Sequence, residues 1–503
     1  MKKLPLAALI ALLSTPLLAA EPIEIGLSGS GKVIEGVAID SPAGASSPES
    51  RTVLLIGGLT GNDGSVAWTK RALKRIESRK SARNVNVIAI PLANPDGATL
   101  NFPPTGVAYR ENPESNALWR WIALHSPDSV EIFGDDAGLE KALKENPVAE
   151  TGSIQLTHVH RTDEPVSTKL QGLPVSQAHE EMIRRRARTP RALAEELAKY
   201  YGHDFDQPLY IQAIALIAQI RLGHIDDVKR IVEPYLNGTK NSLERPSSLV
   251  LAGHTVFTEL ARKTGDARYI QMVKKAADLG FEADGSMKES MPFHDQYSDS
   301  LYMGTVIAAQ AGALTGERKY FDLAARHVAF MQKLVLRPDG LYRHSPATEA
   351  AWARGNAFPA IGLALALPEF PKDHPDFPRL LGDFQAHMAT LARFQNRDGL
   401  WRNVVDYPGA YAEVSATAMI GFAMLQGVNH GWLPAAQYRP VIDKAWRAVL
   451  ERTGPEGHMV DSCESTARLK SVDEYVHRAA LMGTEPRAGA MALMFATAMA
   501  GLD

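Results

Sequence analysis

The sequence predicts two domains, an α/β domain followed by an all-α toroid, and three observations support this prediction. The chain has 503 residues, which is more than one ordinary hydrophobic core accommodates. Before residue 150, short apolar runs rich in β-branched residues alternate with an amphipathic stretch, as in strand–helix–strand units. From about residue 191, strand patterns almost disappear and helical periods alternate with short turns.

The first twenty residues have the pattern of a secretory signal peptide. Two lysines precede an apolar run, and small residues precede Glu21. The alternative is a membrane anchor, but the run is short and is interrupted at Ser14, Thr15 and Pro16. No other segment reaches the roughly 18 apolar residues that a membrane-spanning helix needs. We therefore expect cleavage of residues 1–20 and a periplasmic or secreted protein without stable membrane insertion.

Composition argues against some classes of function. The chain has 54 Lys and Arg against 57 Asp and Glu, and the formal net charge of -3 argues against a nucleic-acid-binding protein. Cys463 is the one cysteine of the chain, so no internal disulfide can form.

Residues 21–150 are predicted to form the α/β domain. Thr52–Ile56, Val85–Ile90 and Ser129–Phe133 are predicted strands. The stretch WTKRALKRIESRK, between the first two, is a predicted amphipathic helix with a solvated basic face. Because strand, helix and strand alternate, we expect a mostly parallel sheet.

This domain resembles the zinc carboxypeptidase (M14) family in LLIGGLTGNDGS and PLANPDG. The Asn-Pro-Asp-Gly turn of that family is present at 94–97. Thr60 and Asp63, however, stand where the family has its zinc-ligating His and Glu, and Gly134 lies near the position of the third ligand. A threonine hydroxyl does not replace imidazole at zinc. We expect a degenerate domain without a metal, with a structural, docking or binding role; cleavage of peptidoglycan peptides is the disfavoured alternative.

Residues 151–194 are predicted to be a linker. The segment SQAHEEMIRRRARTPRA carries an acidic and then a basic helical run that is broken at Pro190. We interpret it as a solvated helix rather than a recognition element.

A repeated pattern of helices fills residues 195–503. ELARKTGDARYIQMVKKAADL (259–279) recurs loosely as AGALTGERKYFDLAARHVAFM (311–331). One helix of each pair is almost wholly apolar, as in SLYMGTVIAAQAGAL, AIGLALAL and VSATAMIGFAML, and such a helix must be buried on every side. Apolar inner helices ringed by amphipathic ones indicate a toroid. The ends of its inner helices meet at one mouth, where we expect the functional site.

Polar and aromatic residues precede three of the apolar helices and are predicted to converge at this mouth. They are Asp295, Asp299, His344, Trp352, Arg354, Asn356, Asp406, Tyr411 and Glu413.

The blocks YSDSLYMG, WARGNAFPAIGLAL and DGLWRNVVDYPGAYAEVSATAMIGFA resemble glycoside hydrolase families 88 and 105, the unsaturated glucuronyl and rhamnogalacturonyl hydrolases. The resemblance implies an (α/α)6 six-hairpin toroid that acts on a uronic-acid-terminated oligosaccharide and needs no metal or organic cofactor. Polysaccharide lyases leave a 4,5-unsaturated uronate on such oligosaccharides. The family hydrates its vinyl ether: a carboxylic acid protonates C4, water adds at C5, and the hemiketal collapses.

The resemblance also implies roles for single residues. Asp299 would act as the acid and then the base, whereas the residues alone favour a carboxylate stabilised at a helix start. Arg354 and His344 fall on positions that contact the uronate and the sugar hydroxyls, and a guanidinium matches a carboxylate in a two-point fork. The alternatives are an ion pair of Arg354 with Glu413 and a hydrogen-bonded core histidine.

Four more residues complete the candidate binding site. Trp352 and Tyr297 are candidate sugar-stacking rings, with packing at a helix start as the alternative. Asn356 either meets substrate or caps its helix. The family pattern Arg-Gly-Asn-Gly-Trp reads Arg-Gly-Asn-Ala-Phe here, so the ring of Phe358 lacks an indole N–H.

A second departure affects the expected chemistry. Ser248 lies roughly where the family has a second carboxylate, which raises the alternatives of a different uronate or a saturated glucuronide. An exo-β-glucuronidase acting on saturated ends would need a second carboxylate, with Asp295, Asp406 and Glu413 as candidates. A non-catalytic glycan-binding protein is the remaining alternative.

Overall fold

The computed structural model describes residues 20–41, 50–77, 85–147, 150–166 and 172–502. The predicted signal peptide, apart from residue 20, lies outside the described residues and stays a prediction. The strands are β1 (Glu21–Leu27), β2 (Val33–Ile39), β3 (Arg51–Ile56), β4 (Val85–Ile90), β5 (Ser129–Phe133), β6 (Thr157–His160), β7 (Trp401–Arg402), β8 (Ala412–Glu413), β9 (Met459–Cys463) and β10 (Ala480–Gly483).

The helices follow the same chain order. They are α1 (Gly64–Glu77), α2 (Pro113–His125), α3 (Leu139–Glu145), α4 (Gln177–Ala187), α5 (Pro190–Leu197), α6 (Tyr210–Arg221), α7 (Ile225–Leu236), α8 (Ser248–Gly253), α9 (Thr255–Thr264), α10 (Ala267–Ala277), α11 (Ser300–Met303), α12 (Thr305–Thr315), α13 (Arg318–Val335), α14 (Ala353–Ala366), α15 (Phe377–Phe394), α16 (Val414–Asn429), α17 (Ala435–Arg452), α18 (Val472–Val476) and α19 (Pro486–Met499).

The amino-terminal domain is built on a sheet with the strand order β1-β2-β4-β3-β5-β6. β4, β3, β5 and β6 are parallel neighbours, while β1 and β2 form an antiparallel edge. In the central strand β3, Val53 and Leu55 pack in the cluster that contains α1, and Leu54 and Ile56 in the cluster that contains α2. Successive side chains point to opposite faces, so a strand covered by helices on each face is apolar throughout. The predicted α/β domain is confirmed.

The sheet extends beyond the predicted domain end at residue 150. β6, which lies inside the predicted linker, pairs in parallel with β5. A buried hydrogen bond of 2.6 Å between His160 Nε2 and Glu131 Oε2 joins the two strands. The boundary at 150 is therefore corrected, because β6 completes the described part of the sheet.

Helix α4 is not the solvated helix that its charge pattern suggested. Arg185 is only 2% exposed, and its guanidinium donates to the carbonyl oxygens of Glu150 at 2.7 Å and Glu451 at 2.9 Å. It also forms an ion pair with Glu181 at 2.8 Å. One buried arginine therefore fastens the connecting segment to the end of α17 in the toroid.

Inner helical segments of the carboxy-terminal domain form a closed ring within the described residues. Around this ring α6 is followed by α8–α9, α11–α12, α14, α16 and α19, and α19 packs against α6. The amphipathic helices α7, α10, α13, α15 and α17 pack outside it. Helix α5 packs outside α19, so it belongs to the toroid and the predicted domain start at residue 195 falls within a helix.

Small residues let the inner helices approach closely. A Cβ atom on Gly362 of α14 would lie 2.2 Å from the carbonyl oxygen of Leu301 in α11, which no real contact allows. Across the described ranges, none of the helices is both long and apolar enough to cross a membrane.

Candidate active site

The amino-terminal ends of neighbouring inner helices meet at one mouth of the toroid. Asp299 immediately precedes α11, Trp352 precedes α14 and Glu413 precedes α16. The Ser298 amide donates to the His344 carbonyl oxygen at 2.9 Å, which joins the start of α11 to the loop before α14. The convergence expected from the sequence is therefore observed for these segments.

Asp299 is a carboxylate at the mouth that remains available to contact a ligand. Its side chain is 20% exposed, and its Oδ1 lies 3.5 Å from His344 Nε2. The same Oδ1 atom is buried and makes no hydrogen bond of normal geometry with any residue that the structure describes. A buried polar atom without such a partner is uncommon and is often found where a protein binds a ligand or carries out chemistry.

His344 is held from several sides. Its ring stacks on Tyr297 with centroids 4.7 Å apart and lies against Trp352 at 4.6 Å. Its Nδ1 lies 2.8 Å from the hydroxyl of Tyr475, and that hydroxyl accepts a hydrogen bond from the Leu469 amide at 3.3 Å. The imidazole is thus clamped with its Nε2 edge towards Asp299.

The partners of His344 assign its tautomer. Burial raises the pKa of Tyr475 to about 12, so its O–H stays protonated and can donate to Nδ1. Nδ1 then accepts, and the ring proton resides on Nε2, which faces Asp299. Tyr475 was not singled out from the sequence, because its separation of 131 residues from His344 hid the contact.

Arg354 is buried and its donors are occupied within the protein. Its Nη1 donates to the Cys463 carbonyl oxygen at 2.7 Å, and its Nη2 donates to the Glu464 carbonyl oxygen at 2.7 Å. Glu413 lies 3.7 Å away, and the side chain of Arg354 is 3% exposed. This geometry matches the ion-pair alternative. It does not match an exposed fork that waits for a substrate carboxylate.

Asn356 and Phe358 are core residues, so the expectation that they contact substrate is not met. Asn356 Oδ1 accepts from the Tyr342 amide at 2.8 Å, and its Nδ2 donates to the carbonyl oxygens of Tyr342 and Trp352. Phe358 packs against Tyr210 with ring centroids 5.6 Å apart and is 1% exposed.

The two candidate stacking rings differ in their surroundings. Trp352 is 2% exposed, and its indole N–H has no hydrogen-bond partner among the described residues. Tyr297 is half-buried; its hydroxyl accepts from the Arg468 amide at 3.0 Å, and the Arg468 guanidinium lies 5.4 Å from the ring centroid. Each ring contacts His344, so both help to form the wall around Asp299.

The three candidates for a second carboxylate are placed differently. Glu413 is fully buried; its Oε1 accepts from the Cys463 and Ser415 amides and its Oε2 accepts from the Ala416 amide, which makes it a helix cap. Asp406 pairs with Arg337 at 2.7 Å.

Asp295 lies in an open groove beside the mouth. This groove has a volume of about 600 Å3 and includes Phe293, His294 and Arg468 among its lining residues. Phe293, Asp295 and Gln296 have positive φ values of 63°, 45° and 60°. Left-handed backbone at non-glycine residues is strained and concentrates at functional sites. The groove therefore brings strained backbone and an exposed carboxylate to the segment that leads into α11.

Ser248, at the expected position of a second carboxylate, is the first residue of α8, which packs against α11. Among the residues that the structure describes, no group of three or more His, Cys, Asp or Glu side chains is arranged to hold a metal ion.

Thr60, Asp63 and Gly134, which the M14 resemblance aligns with zinc ligands, lie close to one another in the α/β domain. Thr60 Oγ1 donates to Asp63 Oδ2 at 2.9 Å, and Asp63 Oδ1 accepts from the Ser65 amide at 2.8 Å. A Cβ on Gly134 would lie 2.8 Å from Ser65 Cβ, so Ser65 fills the space between them. The M14 resemblance itself stays a prediction.

A family of known proteins matches the toroid, and several known proteins resemble parts of this chain. The family described as Glycosyl Hydrolase Family 88 matches residues 183–502. An unsaturated rhamnogalacturonyl hydrolase of Bacillus subtilis is 26% identical over 245 residues, which cover 45% of this chain and 69% of that protein. An unsaturated 3S-rhamnoglycuronyl hydrolase of Alteromonas is 25% identical over 37% of this chain and 50% of that protein. An unsaturated 3S-rhamnoglycuronyl hydrolase of Formosa agariphila is 34% identical over 22% of this chain and 29% of that protein.

Solved structures show the same fold. A possible member of the GH105 family from Salmonella enterica superposes with a TM-score of 0.52 at 19% identity, over 61% of this chain and 93% of that one. A family 88 glycosyl hydrolase from Bacteroides vulgatus superposes with a TM-score of 0.51 at 15% identity, over 62% of this chain and 99% of that one. The expected (α/α)6 six-hairpin toroid is thus confirmed.

Proposed function

Because the chain belongs to Glycosyl Hydrolase Family 88 and is a glycoside hydrolase, we propose that it removes a terminal 4,5-unsaturated uronic acid from lyase-generated oligosaccharides by hydrating the vinyl ether. The observation that carries this proposal is one available carboxylate, Asp299, beside an oriented imidazole. Ordinary glycoside hydrolysis uses two carboxylates on opposite sides of the bond. Of the three candidates for a second one, Glu413 is fully occupied as a cap and Asp406 is ion-paired, whereas Asp295 lies in the groove.

The reaction assigns both proton transfers to Asp299. Its protonated carboxyl donates to C4, the C4–C5 double bond supplies the electron pair, and positive charge develops at C5 and the ring oxygen. Water then adds to C5 and loses a proton to the Asp299 carboxylate. The C5 hemiketal opens to a ketone by breaking the bond between C5 and the ring oxygen, which leaves a hemiacetal at C1. This hemiacetal collapses to an aldehyde, and its glycosidic C1–O bond breaks to release the remaining sugar with a free hydroxyl group.

His344 orients the catalytic carboxyl group in this scheme. Its Nε2 lies 3.5 Å from Oδ1, so the imidazole flanks that side of the carboxyl and leaves Oδ2 to carry and deliver the proton. The walls formed by Trp352 and Tyr297 limit the water around the group, which strengthens electrostatic interactions within the mouth.

Relatives support the substrate class. The names of the three relatives describe unsaturated rhamnogalacturonyl or rhamnoglycuronyl hydrolases. The signal-peptide pattern of residues 1–20 supports a periplasmic or secreted location, where lyase products are available.

The test is turnover of unsaturated oligosaccharides prepared with lyases from several polysaccharides, followed by the loss of the ultraviolet absorbance of the conjugated uronide. In D2O, hydration should place deuterium at C4. A saturated-end β-glucuronidase would leave C4 unlabelled and would instead hydrolyse a saturated glucuronide.

The assignment of Asp299 has its own control. Asp299→Asn should lower the rate by about 100-fold or more, because the amide can neither donate nor accept the proton. Asp295→Asn, which removes a nearby exposed carboxylate, should retain most of the activity. Unchanged turnover by the Asp299→Asn enzyme would reject the assignment, and no turnover of any lyase product by the wild-type enzyme would reject the substrate class.

A further inference from the structure

A second cavity lies between the two domains. Its volume is about 300 Å3, and its lining comes from β1, β2 and α2 on one side and from the loop after α15 and the end of α17 on the other. Neither Asp299 nor His344 lines it, so it is separate from the candidate active site. Nothing in the proposed reaction uses this cavity.

Arg452, which lines this cavity, is a buried arginine without an ion-pair partner among the described residues. It is the last residue of α17 and is 5% exposed, and its Nε is buried without a hydrogen-bond partner. No ion pair or side-chain hydrogen bond joins it to any of the residues that the structure describes. Burying part of a guanidinium without a charged partner is unfavourable, so such a group at a cavity wall indicates a position that would bind an anion.

The other arginines of the lining already have partners. Arg186 pairs with Glu451 at 2.8 Å, and Arg447 approaches the same carboxylate at 3.9 Å. The remaining two arginines form ion pairs across the domain boundary: Arg397 with Glu21 at 2.6 Å and with Asp40, and Arg402 with Glu24 at 2.8 Å. Arg452 therefore differs from its neighbours in being unpaired.

Asp398 is the nearest candidate for a compensating charge, and it is already engaged. His125 lies 3.3 Å from its Oδ2. Although burial opposes the shift, His125 and, more weakly, Arg452 hold the pKa of Asp398 well below its usual range. Asp398 therefore influences Arg452 through space without forming an ion pair with it.

The wall supplied by the α/β domain contains an apolar patch, although Glu21, Glu24 and Asp40 also line it. Ile25, Ala38, Ile88, Trp121 and Leu124 line this side of the cavity. A cavity with an unpaired guanidinium on one wall and this apolar patch on the other fits a ligand with an anionic head and a carbon skeleton. A planar guanidinium suits the two oxygens of a carboxylate.

We propose that this interdomain cavity binds a small organic carboxylate of up to about monosaccharide size, with Arg452 pairing its carboxylate and the apolar patch contacting its carbon skeleton. A ligand held between the domains would stabilise their contact, because it binds only when both are in place. The proposal does not depend on the reaction catalysed at Asp299.

Calorimetric titration of the full-length protein tests the proposal. The probes are galacturonate and cyclohexanecarboxylate as two sources of the same head group, methyl galactoside as a neutral control, and sulfate as an inorganic anion. Binding of either carboxylate, with methyl galactoside inactive, supports the proposal, and the preferred probe shows whether the ligand is a sugar acid or an apolar acid. Binding of sulfate alone, or of none of the probes, overturns it.

Three variants locate the site. Arg452→Gln should weaken carboxylate binding about tenfold or more, because it removes the charge that pairs with the ligand. Arg447→Gln, which changes a paired arginine of the same cavity, should leave the affinity within about twofold. Asp299→Asn should leave this binding unchanged; an effect there, with none from Arg452→Gln, would move the binding to the mouth and overturn the proposal.

Thermal denaturation guards against a variant that simply fails to fold. Without a carboxylate, Arg452→Gln should melt at or above the wild-type temperature, because it removes an unpaired buried charge. Addition of the carboxylate should raise the melting temperature of the wild-type protein only. A large loss of stability in ligand-free Arg452→Gln would show that Arg452 serves the fold and would overturn the proposal.

Discussion

At the scale of single residues, the candidate site depends on which nitrogen of His344 carries its proton. The Tyr475 hydroxyl, 2.8 Å from Nδ1, leaves Nε2 as the protonated atom that faces Asp299. Without that hydroxyl, the imidazole loses its fixed tautomer and part of its orientation. Tyr475 is thus a positioning residue that acts through His344.

Tyr475→Phe should therefore lower kcat by about tenfold with little change in KM, because only the alignment of the proton-transferring carboxyl is disturbed. The measurement is steady-state turnover of an unsaturated oligosaccharide. Tyr342→Phe is the matched control, since it removes the hydroxyl of another buried tyrosine that instead contacts Gln332. Equal losses in the two variants would indicate a general effect of losing a buried hydroxyl.

Arg354 gives the second residue-scale prediction. Removing its guanidinium leaves the fully buried Glu413 without its cationic neighbour and frees the carbonyl oxygens of Cys463 and Glu464. We expect Arg354→Met to lower the free energy of unfolding by roughly 3–5 kcal/mol, as measured by denaturant titration.

A control for Arg354→Met is available on the surface. Arg343 pairs with the exposed Glu349, so Arg343→Met should cost about 1 kcal/mol or less. If Arg354→Met instead kept its stability and raised KM, the residue would be a substrate ligand, as the family resemblance implied.

At the scale of elements, the sequence identified the helices and strands whose hydrophobic pattern can be read from a single segment. The apolar helices α12, α14 and α16 were recognisable because burial on every side leaves little room for polar residues. The strands β3, β4 and β5 were recognisable because a strand covered on each face is a continuous apolar run. Their order along the chain then predicted the α/β domain and the toroid.

Elements defined by distant partners were missed. β1 and β2 were not predicted, since EPIEIGL and VIEGVAI mix charged and apolar residues along a partly exposed sheet edge. The charges of α4 indicated a solvated helix, and only the fold shows that Arg185 reaches the carbonyl oxygens of Glu150 and Glu451. Prediction of the candidate site was limited in the same way. The motif located Arg354, but it did not reveal the carbonyl oxygens of Cys463 and Glu464 that accept hydrogen bonds from its guanidinium.

The close crossing of α11 and α14 gives an element-scale prediction. A methyl group at Gly362 would collide with the Leu301 carbonyl oxygen, so Gly362→Ala should destabilise the protein by about 1–3 kcal/mol or more. Gly382→Ala in the outer helix α15 meets no atom within 4 Å and should stabilise by about 0.5–1 kcal/mol. Denaturant unfolding of the two variants should therefore shift in opposite directions, and a shift in the same direction would contradict the described packing of the ring.

At the scale of the whole molecule, charged groups join the two domains. Arg120 of α2 is buried and forms an ion pair with Asp461 of β9. Arg397 and Arg402 of the toroid pair with Glu21 and Glu24 of β1. This polar interface surrounds the cavity of Arg452, so a carboxylate bound there would contact both domains, through an ion pair with Arg452 on one side and through its carbon skeleton on the other.

The core of the toroid also contains histidines that are buried in the neutral form. Burial lowers the pKa of His254 and of His327 to about 4. His327 accepts a hydrogen bond from the Met291 amide and contacts the carbonyl oxygen of Ser300, the residue after Asp299. In the unfolded chain the pKa of a histidine is about 6.5, so between pH 6.5 and pH 4 the unfolded state binds more protons than the folded one.

The folded protein should therefore lose stability as the pH falls from 7 to 5, by roughly 2 kcal/mol for each of these two histidines. The measurement is the free energy of unfolding at the two pH values, from denaturant titration. The His327→Gln protein should lose roughly 2 kcal/mol less stability than the wild type between pH 7 and pH 5, because glutamine does not titrate. This difference does not depend on how stable the variant is at pH 7. His203→Gln, at a solvent-exposed position, should leave the loss unchanged. If the His327→Gln and His203→Gln proteins lost as much stability as the wild type, burial of the neutral imidazole of His327 would not be the cause of its acid sensitivity.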